Sequence, residues 1–159
     1  MKIAIYPGTF DPITNGHLDV IERSSLIFDK VIVAVLASSN NKNIVFNQQE
    51  RLSLVDESIS AFGNVEAEVF NELLVKYIKS KNATAIIRGL RAISDFEYEF
   101  QMALMNRHLD SNINTVFLMP HQKYIHISSS LVKEVSSLGG NISSYVPSHV
   151  QKMLNKKYP

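Results

Sequence analysis

One short stretch, Pro7-Gly8-Thr9-Phe10-Asp11-Pro12-Ile13-Thr14-Asn15-Gly16-His17, brings together two glycines, two threonines and a histidine. Glycine lets an anion approach the backbone, a histidine on the first turn of a helix points a ring N–H at a phosphoryl oxygen, and the threonine beside Gly8 donates from the other side. Singly, the same residues make a capped turn with an exposed histidine, so the phosphate reading rests on context: a strand before the stretch and a helix after it. Farther on, Ile87-Arg88-Gly89-Leu90-Arg91 places two guanidinium groups about a glycine. The planar fork of arginine matches phosphate oxygens pairwise, and Gly89 leaves room for a nucleotide; a lone arginine usually ends in a surface ion pair, but two at one strand end favour an anion. A third stretch, Ile127-Ser128-Ser129-Ser130-Leu131-Val132-Lys133, is a hydroxyl-rich helix start and a second anion site, although serines there also serve as plain caps. Glu99, beside Tyr98, can put a carboxylate into the same crevice, against the simpler reading of a solvated helix face. Lys42 stands in the polar loop Ser38-Ser39-Asn40-Asn41-Lys42-Asn43, where most lysines are merely solvated.

These stretches need a frame, and the alternation of short β-rich runs with helical periodicity supplies one: βαβ units around a parallel sheet. Five strands are expected at residues 2–6, 30–36, 65–70, 84–87 and 115–119, mostly continuous in hydrophobicity, as strands covered on both faces are. A helix over 16–28 follows the first strand. Asn47 with Glu50 three residues on opens a second helix through Leu52, Val55 and Ile59, and Ser94-Asp95-Phe96-Glu97 is expected to open another that reaches about Leu109. On that helix Phe96, Tyr98 and Met102 suit either a core or a subunit contact. A helix over 129–137 and a last one with Pro147 as its first residue complete the chain, separated by Gly139-Gly140. The expected architecture is an α/β, doubly wound, five-stranded parallel, Rossmann-like sheet with C-terminal helices, one domain over residues 1–159. In such a sheet the ligand crevice lies beyond the carboxyl ends of the strands, where all three stretches fall.

Composition narrows the chemistry. Sixteen Lys and Arg against 15 Asp and Glu leave a net charge of +1, which argues against a nucleic-acid or membrane-surface partner. With no cysteine there is no disulfide framework, thiolate zinc site or cysteine nucleophile. His108, His121, His126 and His149 lack metal-ligand spacing, so no protein-held metal is expected. The opening residues offer no secretory-signal core and the longest apolar run, Val31 to Ala37, is too short to span a membrane, so the expected location is the cytoplasm.

Five blocks carry a closer resemblance: residues 6–17, Ile87-Arg88-Gly89-Leu90-Arg91-Ala92, Asp95-Phe96-Glu97-Tyr98-Glu99, Met105-Asn106-Arg107-His108, and Ile127-Ser128-Ser129-Ser130-Leu131-Val132-Lys133-Glu134. Over nearly its whole length the chain resembles the bacterial phosphopantetheine adenylyltransferase family, in the nucleotidyltransferase superfamily with a Thr/His-x-Gly-His signature. The resemblance implies that ATP and 4′-phosphopantetheine give dephospho-coenzyme A and pyrophosphate, the penultimate step of coenzyme A biosynthesis. It also implies magnesium (Mg2+) on the nucleotide phosphates, coenzyme A as a candidate feedback ligand, and a homohexamer. Carried onto this sequence, Thr9, Lys42, Leu74 and Arg88 contact phosphopantetheine. Thr9, Phe10, His17, Gly89, Leu90, Arg91 and Glu99 hold ATP, together with Tyr124, Ile125, His126, Ile127, Ser128, Ser129 and Ser130. His17 is the family's transition-state stabiliser, with Lys42 and Thr9 beside it in catalysis. The family often has tryptophan where this chain has Tyr124, and the loop before Lys42 carries one extra residue. A nucleotidyltransferase acting on nicotinamide mononucleotide or glycerol phosphate shares the first loop, but the Arg88–Arg91 and Tyr98–Glu99 blocks argue against it. A synthetase catalytic domain or a nucleotide-binding regulator without turnover fits the residues less well.

Overall fold

The computed structural model describes residues 1–37 and 43–159, so Lys42 lies outside the described residues. Five strands, β1 (Ile3–Gly8), β2 (Lys30–Leu36), β3 (Val65–Phe70), β4 (Ala85–Gly89) and β5 (Asn114–Leu118), form one parallel sheet in the order β3-β2-β1-β4-β5. Around it stand α1 (Asn15–Ile27), α2 (Gln48–Ile59), α3 (Leu74–Ser80), α4 (Ile93–Leu109), α5 (Ser129–Ser137) and α6 (Ser148–Lys157). This is the doubly wound α/β fold expected from the alternation of patterns.

Alternate residues of the inner strands serve two cores. Ala4, Tyr6, Val31, Val33, Val35 and Ile87 pack on one face with Val20 and Ile21 of α1, Val55 of α2 and Leu154 of α6. Ile5, Ile32, Ala34 and Ile86 face the other way, onto Val75, Tyr77 and Ile78 of α3. Each fully buried Ile or Val contributes on the order of 1.5–3 kcal/mol, so α3 is what makes the second face stable. Its presence does not follow from the sequence pattern, because it has only 7 residues and opens on Leu73 with no side-chain cap.

Burial on both faces holds for the inner strands and fails at the edges. Along β3 most residues are only half-buried; Glu66 pairs with Lys30 at 2.6 Å, and Glu68 pairs with Lys81 and accepts from the Tyr77 hydroxyl. Water on the open side of an edge strand makes such charges affordable. β1 runs two residues past its expected end, since Pro7 and Gly8 stay in register with Ala34 and Val35 of β2.

The helix starts divide in the same way. Asn47 caps α2 as expected: its side chain accepts from the Glu50 N–H at 2.9 Å, and the Glu50 carboxylate accepts from the Asn47 N–H at 2.9 Å. α5 begins at Ser129, with the Ser128 hydroxyl accepting from the Leu131 N–H at 3.1 Å. α4 corrects the expectation. It begins at Ile93 with Ala92 in the cap position and no side-chain cap, while Asp95 turns to Arg91 at 3.4 Å. Pro147 likewise precedes α6 instead of opening it. Phe96, Tyr98 and Met102 of α4 are exposed on the single chain, and the one buried residue of that helix is Glu99. Among the described residues no helix is long and apolar enough to cross a membrane.

Because the Asn47 side chain satisfies the Glu50 N–H in the first turn of α2, Asn47→Ala is expected to destabilise the fold by about 1 kcal/mol. A urea midpoint indistinguishable from that of the parent chain would contradict this account of α2.

Candidate active site

β2 and β3 lie to one side of β1, β4 and β5 to the other, so the connections leaving β1 and β4 turn in opposite directions and open a crevice at their carboxyl ends. A cavity of about 480 Å³ occupies that place. Its floor is Tyr6, Pro7 and Gly8 of β1 with Arg88 and Gly89 of β4. Its walls are Phe10, Thr14, Gly16, His17 and Val20 on one side, Arg91, Asp95, Tyr98 and Glu99 on another, and Tyr124, Ile127, Ser128 and Ser129 on a third. All three stretches singled out in the sequence thus meet in one cavity.

His17 is the third residue of α1 and half-buried. Its Nδ1 accepts from the Thr14 backbone N–H at 3.0 Å, and its own backbone N–H reaches the Thr14 hydroxyl at 3.3 Å. A ring nitrogen that accepts from an amide carries no proton, so the neutral imidazole holds its proton on Nε2. Burial, then the charges of Arg91 and Arg88, bring the His17 pKa down to about 4. At neutral pH the ring is therefore an uncharged donor through Nε2, suited to a phosphoryl oxygen and unsuited to act as a base. Phe10 packs edge-on against it, with ring centroids 5.1 Å apart. A Cβ on Gly8 would stand 2.9 Å from the Phe10 ring, whereas one on Gly16 would make only ordinary contacts at 3.6 Å and beyond, so packing within the protein demands glycine at Gly8 alone of the two.

Arg88 is held bidentately by Glu99: Nε donates to Oε2 at 2.7 Å and Nη2 to Oε1 at 2.6 Å, while Nη1 reaches the Pro7 carbonyl at 3.3 Å. Burial works against the Arg88 charge, but the bonds to Glu99 outweigh it and raise the pKa. Arg91 is more exposed and donates to the Ile127 carbonyl at 3.2 Å, beside the start of α5. At that helix start two hydroxyls already have protein partners: Ser128 accepts from Leu131, and Ser129 donates to the Pro12 carbonyl at 2.7 Å. An anion there would meet the backbone N–H groups of the first turn. Tyr124 ends a 3-10 turn, Gln122–Tyr124, tied to α1 by the His121 N–H donating to Asp19 at 2.8 Å.

Several expected residues stand apart from the lining. Thr9 is half-buried, with its carbonyl accepting from Arg51; Leu90 donates its N–H to the Leu118 carbonyl; and Ile125 and His126 are exposed, His126 edge-on to Tyr145. Ser130 faces a second groove, shared with Lys133. Leu74 opens α3 and packs beside the smaller core. Tyr6 and Asp95 line the cavity although they stand in the resemblance blocks without being among the expected site residues, and Arg51 is in neither group. Arg51 reads as an ordinary charge on a helix; the available signal is its spacing three and four residues before Leu54 and Val55, which puts it on the buried side of α2. Among the described residues no three His, Asp or Glu side chains converge to hold a metal, and Asp95 and Glu99, which line the cavity, are engaged with arginines.

A family model described as cytidylyltransferase-like matches residues 5–135. The phosphopantetheine adenylyltransferase of Desulfosudis oleivorans is 53% identical over 99% of this chain and 93% of its own length. That of Alkaliphilus oremlandii is 54% identical over 99% and 100%. The chain belongs to the phosphopantetheine adenylyltransferase family. Among solved structures, a nicotinate-nucleotide adenylyltransferase described as putative, from Vibrio parahaemolyticus, superposes with a TM-score of 0.75 at 23% identity, covering 99% of this chain and 95% of that one. A bifunctional NMN adenylyltransferase/ADP ribose pyrophosphatase from Francisella tularensis gives 0.73 at 16% identity, over 98% of this chain and 49% of that one. At these identities the two structures speak for the fold. In this member of the phosphopantetheine adenylyltransferase family, the crevice at the carboxyl ends of β1 and β4 is the candidate active site.

The depressed His17 pKa has a direct consequence. Between the ordinary value of 6.5 and about 4 the unfolded chain takes up the proton that the folded chain refuses. This histidine's contribution to stability is therefore complete above the ordinary value and is lost as the pH falls through that window. NMR titration of the His17 ring is expected to give a midpoint near 4, rising in Arg91→Gln; a midpoint at the ordinary value would contradict the burial and charge account.

Proposed function

We propose that this chain, as one catalytic domain over residues 1–159, transfers the adenylyl group of ATP to 4′-phosphopantetheine, giving dephospho-coenzyme A and pyrophosphate. The observation that carries the reading is the identity of about half of all residues, over 99% of the chain, with phosphopantetheine adenylyltransferases. The cavity is consistent with it in chemistry: two arginines, a neutral histidine donor and two helix N-termini face a space of about 480 Å³.

A phosphate oxygen of phosphopantetheine attacks the α-phosphorus of ATP as the bond from that phosphorus to the β-phosphate bridging oxygen breaks, and pyrophosphate departs with the electron pair. The nucleophile is already ionised, so positioning and charge stabilisation are enough and no covalent enzyme intermediate or general base is needed. In this reading the Nε2–H of His17 donates to the charge that gathers on the α-phosphate. Arg91 and the first turn of α5 receive the β- and γ-phosphates. Arg88, oriented by Glu99, meets phosphopantetheine together with Thr9, Lys42 and Leu74. Phe10, Gly89, Leu90, Glu99 and the 124–130 segment share in holding ATP. Magnesium bound to the nucleotide phosphates offsets part of their charge; with both lining carboxylates paired to arginines, the residues present fit an ion that arrives with the nucleotide.

The assembly proposed is a homohexamer in the cytoplasm, with coenzyme A as a feedback ligand. Support for self-association comes from α4, which is apolar on several sides and leaves Ile93 91%, Tyr98 63% and Met105 55% exposed. Exposure on that scale ordinarily marks a surface that another protein covers.

Purified protein given ATP, magnesium and 4′-phosphopantetheine is expected to yield dephospho-coenzyme A by mass spectrometry. Nicotinamide mononucleotide and glycerol 3-phosphate, supplied in parallel, are expected to yield nothing; product from either would overturn the acceptor. His17→Ala is expected to fold and to lose on the order of 10²–10³ in kcat, as removal of one preorganised donor does. Turnover close to that of the parent would remove His17 from this role. Sedimentation is expected to show a hexamer, and a monomer at micromolar concentration would refute the assembly.

A further inference from the structure

Arg51, on α2, heads the large side chains that are fully buried, at 1% exposure. Among the described residues its partners are four carbonyls. Nη1 donates to Thr9 and to Leu36, each at 2.8 Å, Nη2 to Ala37 at 3.2 Å, and Nε to Phe46 at 3.2 Å. A buried cation satisfied by carbonyls is an expensive way to fill a core, and apolar residues of similar volume often do so at least as stably. Its geometry therefore asks for a reason beyond packing.

The reason lies at Phe10, which has φ 50, in the left-handed region that side chains other than glycine rarely adopt. Such a residue keeps its conformation only where its surroundings over-determine it. Arg51 fixes the carbonyl of Thr9 on one flank. On the other flank the buried carboxylate of Asp11 accepts from the Val45 N–H at 3.0 Å, the Phe46 N–H at 2.8 Å and Lys133 Nζ at 2.9 Å. Held from both sides, the Phe10 ring stands edge-on to Tyr6 at 5.4 Å and to His17 at 5.1 Å.

We propose that Arg51 is a positioning residue for adenylyl transfer: through Thr9 and the backbone of Phe10 it sets the place of the His17 imidazole in the cavity. The inference rests on the function proposed above, in which His17 stabilises the reacting phosphate.

A double-substitution cycle with Arg51→Lys and His17→Ala tests it on the full chain, assayed well below the melting temperature of each variant. Lysine keeps the charge and lacks the planar fork that reaches four carbonyls together. Arg51→Lys is expected to lower kcat about tenfold when His17 is present, the scale on which small misplacements act, and by less than about twofold in the His17→Ala background. An equal factor in both backgrounds, or an unchanged kcat, would overturn the proposal. The NMR resonance of the His17 ring gives a readout independent of turnover. It is expected to move in Arg51→Lys; a fixed resonance defeats the inference even if the parent makes no dephospho-coenzyme A, and absence of product in the parent defeats the functional reading alone. Should Arg51→Lys not fold, Asp11→Asn loosens the other flank of Phe10 and is put through the same cycle. If neither variant folds, the role is structural and the proposal falls.

Discussion

A parallel sheet whose connections diverge cannot close over its own strand ends, and that constraint organises this molecule. β1 has β2 on one side and β4 on the other, so the chain leaves it toward one half of the sheet and returns to the other half only at β4. Backbone and helix ends left facing that gap cannot be satisfied by a neighbouring strand. The polar stretches of the sequence meet at that gap, where a ligand can take up the groups that the sheet leaves open. The same divergence explains why Gly8 and Gly89, at the two strand ends, both border the cavity.

Charge is arranged around the gap with unequal freedom. Arg88 is locked onto Glu99, whereas Arg91 stays more exposed beside α5. Fixed cations raise the positive potential without the cost of ordering them when an anion arrives, which is the sense in which such a site is prepared in advance. Burial first, then the charges of Arg91 and Arg88, keep His17 neutral. Its proton stays on Nε2 because Thr14 occupies Nδ1, so one backbone N–H in the cap of α1 decides the chemistry available to the ring.

Two helices show how far local pattern reaches. α2 and α5 start where their caps say, since Asn47, Glu50 and Ser128 satisfy helix-end groups a few residues away and need no distant partner. α3 carries no cap and is held in place by Ile5, Ile32 and Ile86 from three strands, so nothing near it in sequence announces it. At α4 a cap pattern is present but unused, because Asp95 finds Arg91 and the helix opens earlier.

The sequence by itself determined the alternation of strands and helices, the five-stranded parallel class, the three candidate anion-binding stretches and the family. All of these rest on residue type and short spacing, and a turn or cap encodes both within a few residues. Only the tertiary structure decided which of the named residues share the cavity, that the fork of Arg88 is taken up by Glu99, and that Arg51, unremarkable in the sequence, braces the loop carrying Phe10. The physical reason is that these depend on contacts between residues far apart in the chain: Thr9 with Arg51, Asp11 with Lys133, Pro12 with Ser129. Burial and partner choice at such distances are properties of the packed sheet and belong to no single stretch of it.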